Sequence, residues 1–185
     1  MEFGLWGRSR VKRVGIVSTR LAGTDGVSLE SDKWVHVMEE RRLTCYYFAG
    51  ELDRPPERSY LAEEAHFNHP EIQEIQKASF GVTTRSRSLT GKIQEIKRKL
   101  KDDLYSFISK YKIDLLMPEN SLTIPMNIPL GLAITEVIAE TGMPAIAHHH
   151  DFYWERDRFS INAVSDYLNM SFPPNLPTLT HTVIN

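Results

Sequence analysis

Short apolar runs alternate with longer stripes of helical period along this chain. Arg13–Ser18, Leu43–Phe48, Leu115–Met117, Ala145–Ala147 and His181–Ile184 are compact runs rather than strict alternations, as expected of strands buried on both faces. Between them lie apolar stripes at steps of three and four. One is Trp34, Val37 and Met38. A long one runs through Leu89, Ile93, Ile96, Leu100, Leu104, Phe107, Ile108 and Tyr111. A third is Leu130, Ile134, Val137 and Ile138. Asn127 is placed to cap the third, Pro129 to open it and Gly142 to close it. Strand and helix alternate, so the fold class is α/β, with a doubly wound, mainly parallel sheet in three layers. The stretch Asp53–Arg87 is less regular. It reads as short helical pieces, Glu57–Ala65 and Pro70–Lys77, in a connection over the sheet edge whose face lines a cleft. Residues 1–185 read as a single domain.

Composition narrows the class. The 185 residues are enough for one domain with a real core. Lys+Arg is 22 against 24 Asp+Glu, a net charge of −2, so no basic field argues for nucleic acid. The local cluster Arg8, Arg10, Lys12 and Arg13 reads as a solvated arm, with a contact to an anionic membrane face as the alternative. A lone Cys45 in an apolar run is an inert core thiol and suits a reducing, cytoplasmic compartment. Neither a signal peptide nor a membrane-spanning run is apparent.

Candidate chemistry gathers where strands end. The first strand opens into Leu21-Ala22-Gly23-Thr24-Asp25-Gly26-Val27-Ser28-Leu29-Glu30, a turn with two glycines and then a helix. Such a loop lies at the carboxyl edge of a parallel sheet, where ligands bind, and the helix behind it presents free N–H groups. The glycine spacing fits neither the dinucleotide fingerprint nor the phosphate loop. Glu30 and Asp32, read here as first-turn residues, would repel a phosphate, so a hydroxyl-rich ligand fits better. An ordinary connecting turn is the simpler alternative. Glu119 and Asn120 end another strand and point to the same edge. Taken singly they read as loop caps.

The run His148-His149-His150-Asp151-Phe152-Tyr153-Trp154-Glu155-Arg156 follows a later strand. In extended backbone His148 and His150 share a face and His149 opposes them. Two same-side histidines with Asp151 have the makings of a metal site. The preferred reading places one histidine in the cleft as a hydrogen-bond donor and another in packing. Purely structural histidines are the third possibility. His66 and His69 read as a solvated loop, and Lys92, Lys97, Arg98, Lys99 and Lys101 as a solvated helix face. No nucleophile triad is legible. Three polar strand ends converging on one edge make a stronger site than any member alone.

These strings, in this order, resemble the N-terminal domain of GT-B-fold glycosyltransferases, most closely the retaining, family 4-like group that uses nucleotide-sugar donors. The likeness is carried by Ser18-Thr19-Arg20 through Glu30 with Trp34, by Tyr46-Tyr47-Phe48-Ala49-Gly50-Glu51-Leu52, by Asn127-Ile128-Pro129-Leu130-Gly131, by His148–Phe152 and by His181–Asn185. It covers nearly the whole chain. It implies a Rossmann-like domain that faces a second one across a cleft and holds mainly the acceptor. It implies that the loop Gly23, Thr24, Asp25 and Gly26 lies near the donor phosphates and the acceptor, and the reading of the sheet edge adds Glu30, Glu119 and Asn120 to the binding set. His148 or His150 would touch the transferred sugar, with Asp151 orienting it. It implies no resident metal and no cofactor beyond the nucleotide-sugar co-substrate. The acceptor would be a sugar, a polyol or a lipid-linked hydroxyl.

The departure from that group is large. In that group a C-terminal domain carries the basic residues and paired glutamates that hold the donor, and these 185 residues do not include them; a truncation, a split gene product and a free-standing relative are the alternatives. The chain alone is therefore expected to transfer little sugar, because stabilisation of the leaving group is usually the largest catalytic term. Surfaces that would face the absent domain are expected to promote self-association. The competing readings are a non-enzymatic α/β binding or interaction module and a metal hydrolase on His148, His150 and Asp151.

Overall fold

The computed structural model describes residues 11–184. Arg8 and Arg10 of the basic arm lie outside them. Six strands form one sheet: β1 (Arg13–Val17), β2 (Thr44–Ala49), β3 (Ser59–Leu61), β4 (Leu115–Pro118), β5 (Ala145–His149) and β6 (Leu179–Val183). Their order is β3-β2-β1-β4-β5-β6, and every pairing within the sheet is parallel. The helices are α1 (Gly26–Glu40), α2 (Pro70–Ser79), α3 (Arg87–Tyr111), α4 (Ile128–Thr141) and α5 (Ser165–Ser171). This is a Rossmann-like α/β fold with strand order 3-2-1-4-5-6, whose direction of winding reverses between β1 and β4.

Alternation along each strand splits the core in two. Val14, Ile16, Cys45, Tyr47 and Met117 pack with Trp34, Val35 and Met38 of α1. Val17, Phe48, Leu116, Ala145 and Ala147 face the other way, into the larger cluster built with α3, α4 and α5. Burial pushes the Cys45 thiol up to about 12, with the nearby Glu39 adding to the rise, so it is a packing group.

The ends of the helices follow their sequence signals. Asn127 accepts the Leu130 N–H at the start of α4, and Gly142 ends that helix at φ 63°. α3 begins at Ser86, whose hydroxyl accepts from Leu89 N–H.

Two expectations are corrected. Glu57–Ala65 is not a helical piece: two single 3-10 turns flank strand β3, which pairs with β2. The β2 strand donates an edge there, and extended backbone satisfies more hydrogen-bonding groups than an isolated turn would. The lysines of α3 are not a plain solvated face. Lys97 and Lys101 reach Glu136 of α4 at 2.6 and 2.9 Å, and Lys101 also reaches Glu140. Lys92 pairs with Glu74, and Lys99 with Glu64. Charge thus stitches α3 to its neighbours above the apolar seam.

Candidate functional site at the strand switch point

The carboxyl ends of β1, β4 and β5 are tied to one another. Glu119 N–H donates to the Val17 carbonyl at 2.8 Å, and Ser18 Oγ donates to the Glu119 carbonyl at 3.0 Å. Asn120 N–H donates to the His148 carbonyl, and His150 N–H returns a bond to Asn120 Oδ1 at 3.1 Å. Asn120 achieves this at φ 50°, a left-handed conformation that asparagine tolerates better than most residues. The edge at which the sheet reverses its winding is therefore rigidly framed.

Within that frame a carboxyl group holds two imidazoles. Glu119 is fully buried, and its Oε1 lies 2.8 Å from His148 Nδ1 and 2.8 Å from His150 Nε2. Oε2 of the same group has no partner among the described residues. The hydrogen bond from Glu119 raises the His150 pKa above the ordinary histidine range against the lowering effect of burial. Charges on Glu119, Glu30 and Asp151 add to the rise. His150 is thereby biased toward the imidazolium form. His148 stands edge-on to the Trp34 ring of α1, centroids 5.4 Å apart. Glu30 completes the surroundings. Its hydrogen bond from Lys33 holds its carboxyl below the usual range against a burial effect, and His148 and His150 contribute to the lowering.

His149 turns to the other face. Its Nε2 lies 2.7 Å from His181 Nδ1, and His181 Nε2 lies 2.9 Å from the Pro174 carbonyl. That carbonyl can only accept, so His181 carries its proton on Nε2 and its Nδ1 accepts from His149. Burial pushes the His149 pKa down to about 4, with charges on His181, His148 and His150 adding.

Beside the histidine pair opens a hollow of about 250 Å³. Ser18, Thr19, Arg20 and Asp25 form its β1 side, and Asn120 and Asp151 come from β4 and β5. Arg20 lies 3.4 Å from Asp25 and 3.1 Å from Glu51, and Arg156 pairs with Asp151. The wall mixes charged groups and the Thr19 hydroxyl with the apolar surfaces of Val27, Phe67, Ile124 and Met126, a lining that meets both the hydroxyls and the C–H faces of a sugar.

Two known proteins are similar to this chain. It is 30% identical over 178 residues to the mannosylglucosylglycerate synthase of Petrotoga mobilis, an alignment that takes in 93% of this chain and 40% of that protein. It is 27% identical over 177 residues to the mannosylglucosylglycerate synthase of Thermotoga maritima, with 94% and 40% covered. The chain spans about 40% of the length of these curated relatives. No family model matches it.

The sequence-derived candidates divide into three groups. Glu119, His148 and His150 form the buried cluster, with Glu30 close enough to feel its charge. Asp25, Asn120 and Asp151 line the hollow. Gly23 and Thr24 form an exposed turn, and Gly26, also exposed, opens α1. The turn is pinned rather than open: Gly23 N–H, at φ 74°, donates to Asp53 Oδ2 at 2.6 Å.

Several expectations change here. The Val27 and Ser28 N–H groups in the first turn of α1 are not free for a ligand, because Asp25 caps the helix and accepts from both. Burial raises the Asp25 pKa, but the Ser28 hydrogen bonds, Arg20 and Val27 outweigh it and hold the carboxyl low. Glu30 lies beyond the first turn, which holds no acidic residue. Among the described residues Asp151 makes no hydrogen bond to a histidine; it pairs with Arg156 and acts on His150 through its charge, whereas Glu119 bonds both imidazoles. The residues whose ligand atoms gather within 4.8 Å are Glu119, His148 and His150, in place of the set with Asp151. His66 is no solvated loop residue. Gly50 lets the His66 backbone approach so closely that a Cβ there would sit 2.0 Å from its nitrogen. His66 stacks on Phe67, and Phe67 reaches the wall of the hollow. Phe67 and Arg158 escaped the sequence reading, since neither falls at a strand end of the sheet.

Proposed function

We propose that this chain is the acceptor-side domain of a retaining, GT-B-type glycosyltransferase that moves a sugar from a nucleotide-sugar donor to a hydroxyl of a small sugar acid. The observation that carries the reading is the Glu119–His148–His150 cluster, placed beside a hollow of mixed charged and apolar lining at the strand switch point. The alignments to two mannosylglucosylglycerate synthases over more than nine-tenths of the chain support it. Their name contains a mannosyl group joined to glucosylglycerate. A mannosyl donor and a carboxylate-bearing acceptor are accordingly the substrates we assign.

In this reading Glu119 fixes the tilt of both imidazoles, and His150, cationic by virtue of Glu119, donates to the sugar undergoing transfer. Asp25 and Asn120 receive acceptor hydroxyls. The groups that neutralise the departing diphosphate belong to a second domain, so residues 1–185 alone bind acceptor but turn over poorly. We expect the reaction to use no resident metal: Glu119 Oε1, His148 Nδ1 and His150 Nε2 lie close enough together to share an ion, and their 2.8 Å separations are those of the hydrogen bonds this reading assigns to them.

The test is an assay of the longest natural gene product containing this chain, with GDP-mannose or UDP-glucose and glucosylglycerate. Product is read by mass spectrometry and its anomeric configuration by NMR. Transfer of one hexose with retention, abolished in H150A, is expected. Inversion, or no transfer from either donor, overturns the reading, and transfer from UDP-glucose but not from GDP-mannose overturns the mannosyl assignment. One equivalent of tightly held zinc by elemental analysis overturns the metal-free part.

A further inference from the structure

A second hollow, of about 450 Å³, adjoins the first, and Met126 and Arg158 belong to the walls of both. Its charge is one-sided. Lys77 and Arg158 line it, and no carboxylate does. Neither cation forms an ion pair among the described residues, whereas Arg20 and Arg156 of the first hollow are both paired. The nearby acid of α2, Glu74, is engaged by Lys92. Gln73 and Gln76 each donate one side-chain N–H, to the carbonyls of Phe67 and Pro125, at 2.7 and 2.6 Å. The two glutamines therefore brace the wall. Phe80 and Phe159 make its apolar floor, in a T-shaped contact with centroids 4.8 Å apart. An aromatic floor beside cations with no acid between them is the chemistry of a site for a sugar or polyol carrying an anion.

Arg158 occupies the junction of the two hollows. Its guanidinium carbon lies 4.5 Å from the centre of the Phe159 ring, and its Nη2 donates to Met126 Sδ at 3.0 Å. Burial, and the repulsion of the neighbouring Arg156, lower its pKa from the ordinary arginine value; Asp151 opposes this weakly. An anion would relieve that repulsion.

We infer that this second hollow is an anion subsite, in which Arg158, assisted by Lys77, binds the carboxylate or phosphate of the acceptor and so sets acceptor specificity. The inference rests on the acceptor-side reading above. An acceptor lying along the two hollows presents its hydroxyl toward the histidine pair and its anion away from it. The anionic end then carries the specificity and leaves the chemistry untouched.

The experiment is an amide NMR titration of the 185-residue chain with glucosylglycerate, with glycerol 3-phosphate and with uncharged glucosylglycerol. Glucosylglycerate is expected to bind about tenfold or more tighter than glucosylglycerol, with shifts at Lys77, Phe80 and Arg158. R158Q is expected to erase that preference. R158K should keep part of it, since a lysine restores charge but not the two-pronged geometry. Strong binding of glycerol 3-phosphate, lost in R158Q, supports the subsite with phosphate as its anion. Equal binding of charged and uncharged ligands, an unchanged preference in R158Q, or no binding at all overturns the inference. The transfer assay separates the two failures. A full-length enzyme that glycosylates charged and uncharged acceptors equally well keeps the transferase reading and loses the subsite.

Discussion

Glu119 is the residue on which the site turns. Its carboxyl group is inaccessible to water and serves two imidazoles through one oxygen. A buried acid so used is costly unless its partners remain in place. Substituting E119Q keeps the shape but removes the charge that favours the His150 imidazolium. The His150 pKa, followed by NMR of the ring protons, is expected to fall toward the ordinary histidine range. Stability should drop by about 1–3 kcal/mol, as for other buried hydrogen-bonded groups left unmatched. An unchanged His150 titration would show that Glu119 does not set its charge. The pairing of His148 with His150 was readable from the two-residue repeat of an extended segment, since that repeat is a property of the backbone itself. Their common partner was not readable: Glu119 ends a different strand, and only parallel pairing of β4 with β5 brings the two together.

At the scale of elements, α3 and α4 pack through an apolar seam and are then cross-linked by charge. Glu136 accepts from Lys97 and Lys101, all three side chains well shielded, with exposures of 28%, 12% and 20%. Shielding weakens the screening that makes most surface pairs negligible. A double-mutant cycle on Lys101 and Glu136 is expected to give a coupling of about 0.5–1 kcal/mol. Molar salt should reduce it. A coupling of zero would make these contacts incidental. The seam was legible in the sequence because its spacing at three and four is dictated by helix geometry. The charge pairs were not, because a lysine on a polar helix face looks alike whether water or another helix lies opposite. β3 escaped for a similar reason. Three residues carry no periodicity, and their strand state comes from the free edge of β2.

For the whole molecule, His149 makes stability depend on pH. Its pKa is about 4 in the folded chain, below the unfolded value near 6.5, so the unfolded chain binds the additional proton between those limits. Stability contributed by neutral His149 is complete above about pH 6.5 and is lost as the pH falls toward 4. By linkage the loss approaches roughly 3 kcal/mol. Urea unfolding at pH 7 and pH 4.5 should show this loss, and H149Q should show a smaller one over the same interval. An equal pH dependence in the variant would remove His149 from the account. The position of His149 against His181 ties β5 to β6, so its titration acts on the edge of the sheet nearest the chain's end.

The sequence by itself determined the parallel α/β class, the apolar seams of the helices, both ends of α4 and the convergence of three polar strand ends, because period, capping and chain direction are local properties. Tertiary structure alone decided which groups meet. It chose Glu119 over Asp151 as the partner of the histidines, closed the α1 terminus with Asp25, and set Lys77 beside Arg158 in a hollow free of acids. Those choices depend on distances between residues remote in the chain, which strand order and burial fix and local pattern does not encode.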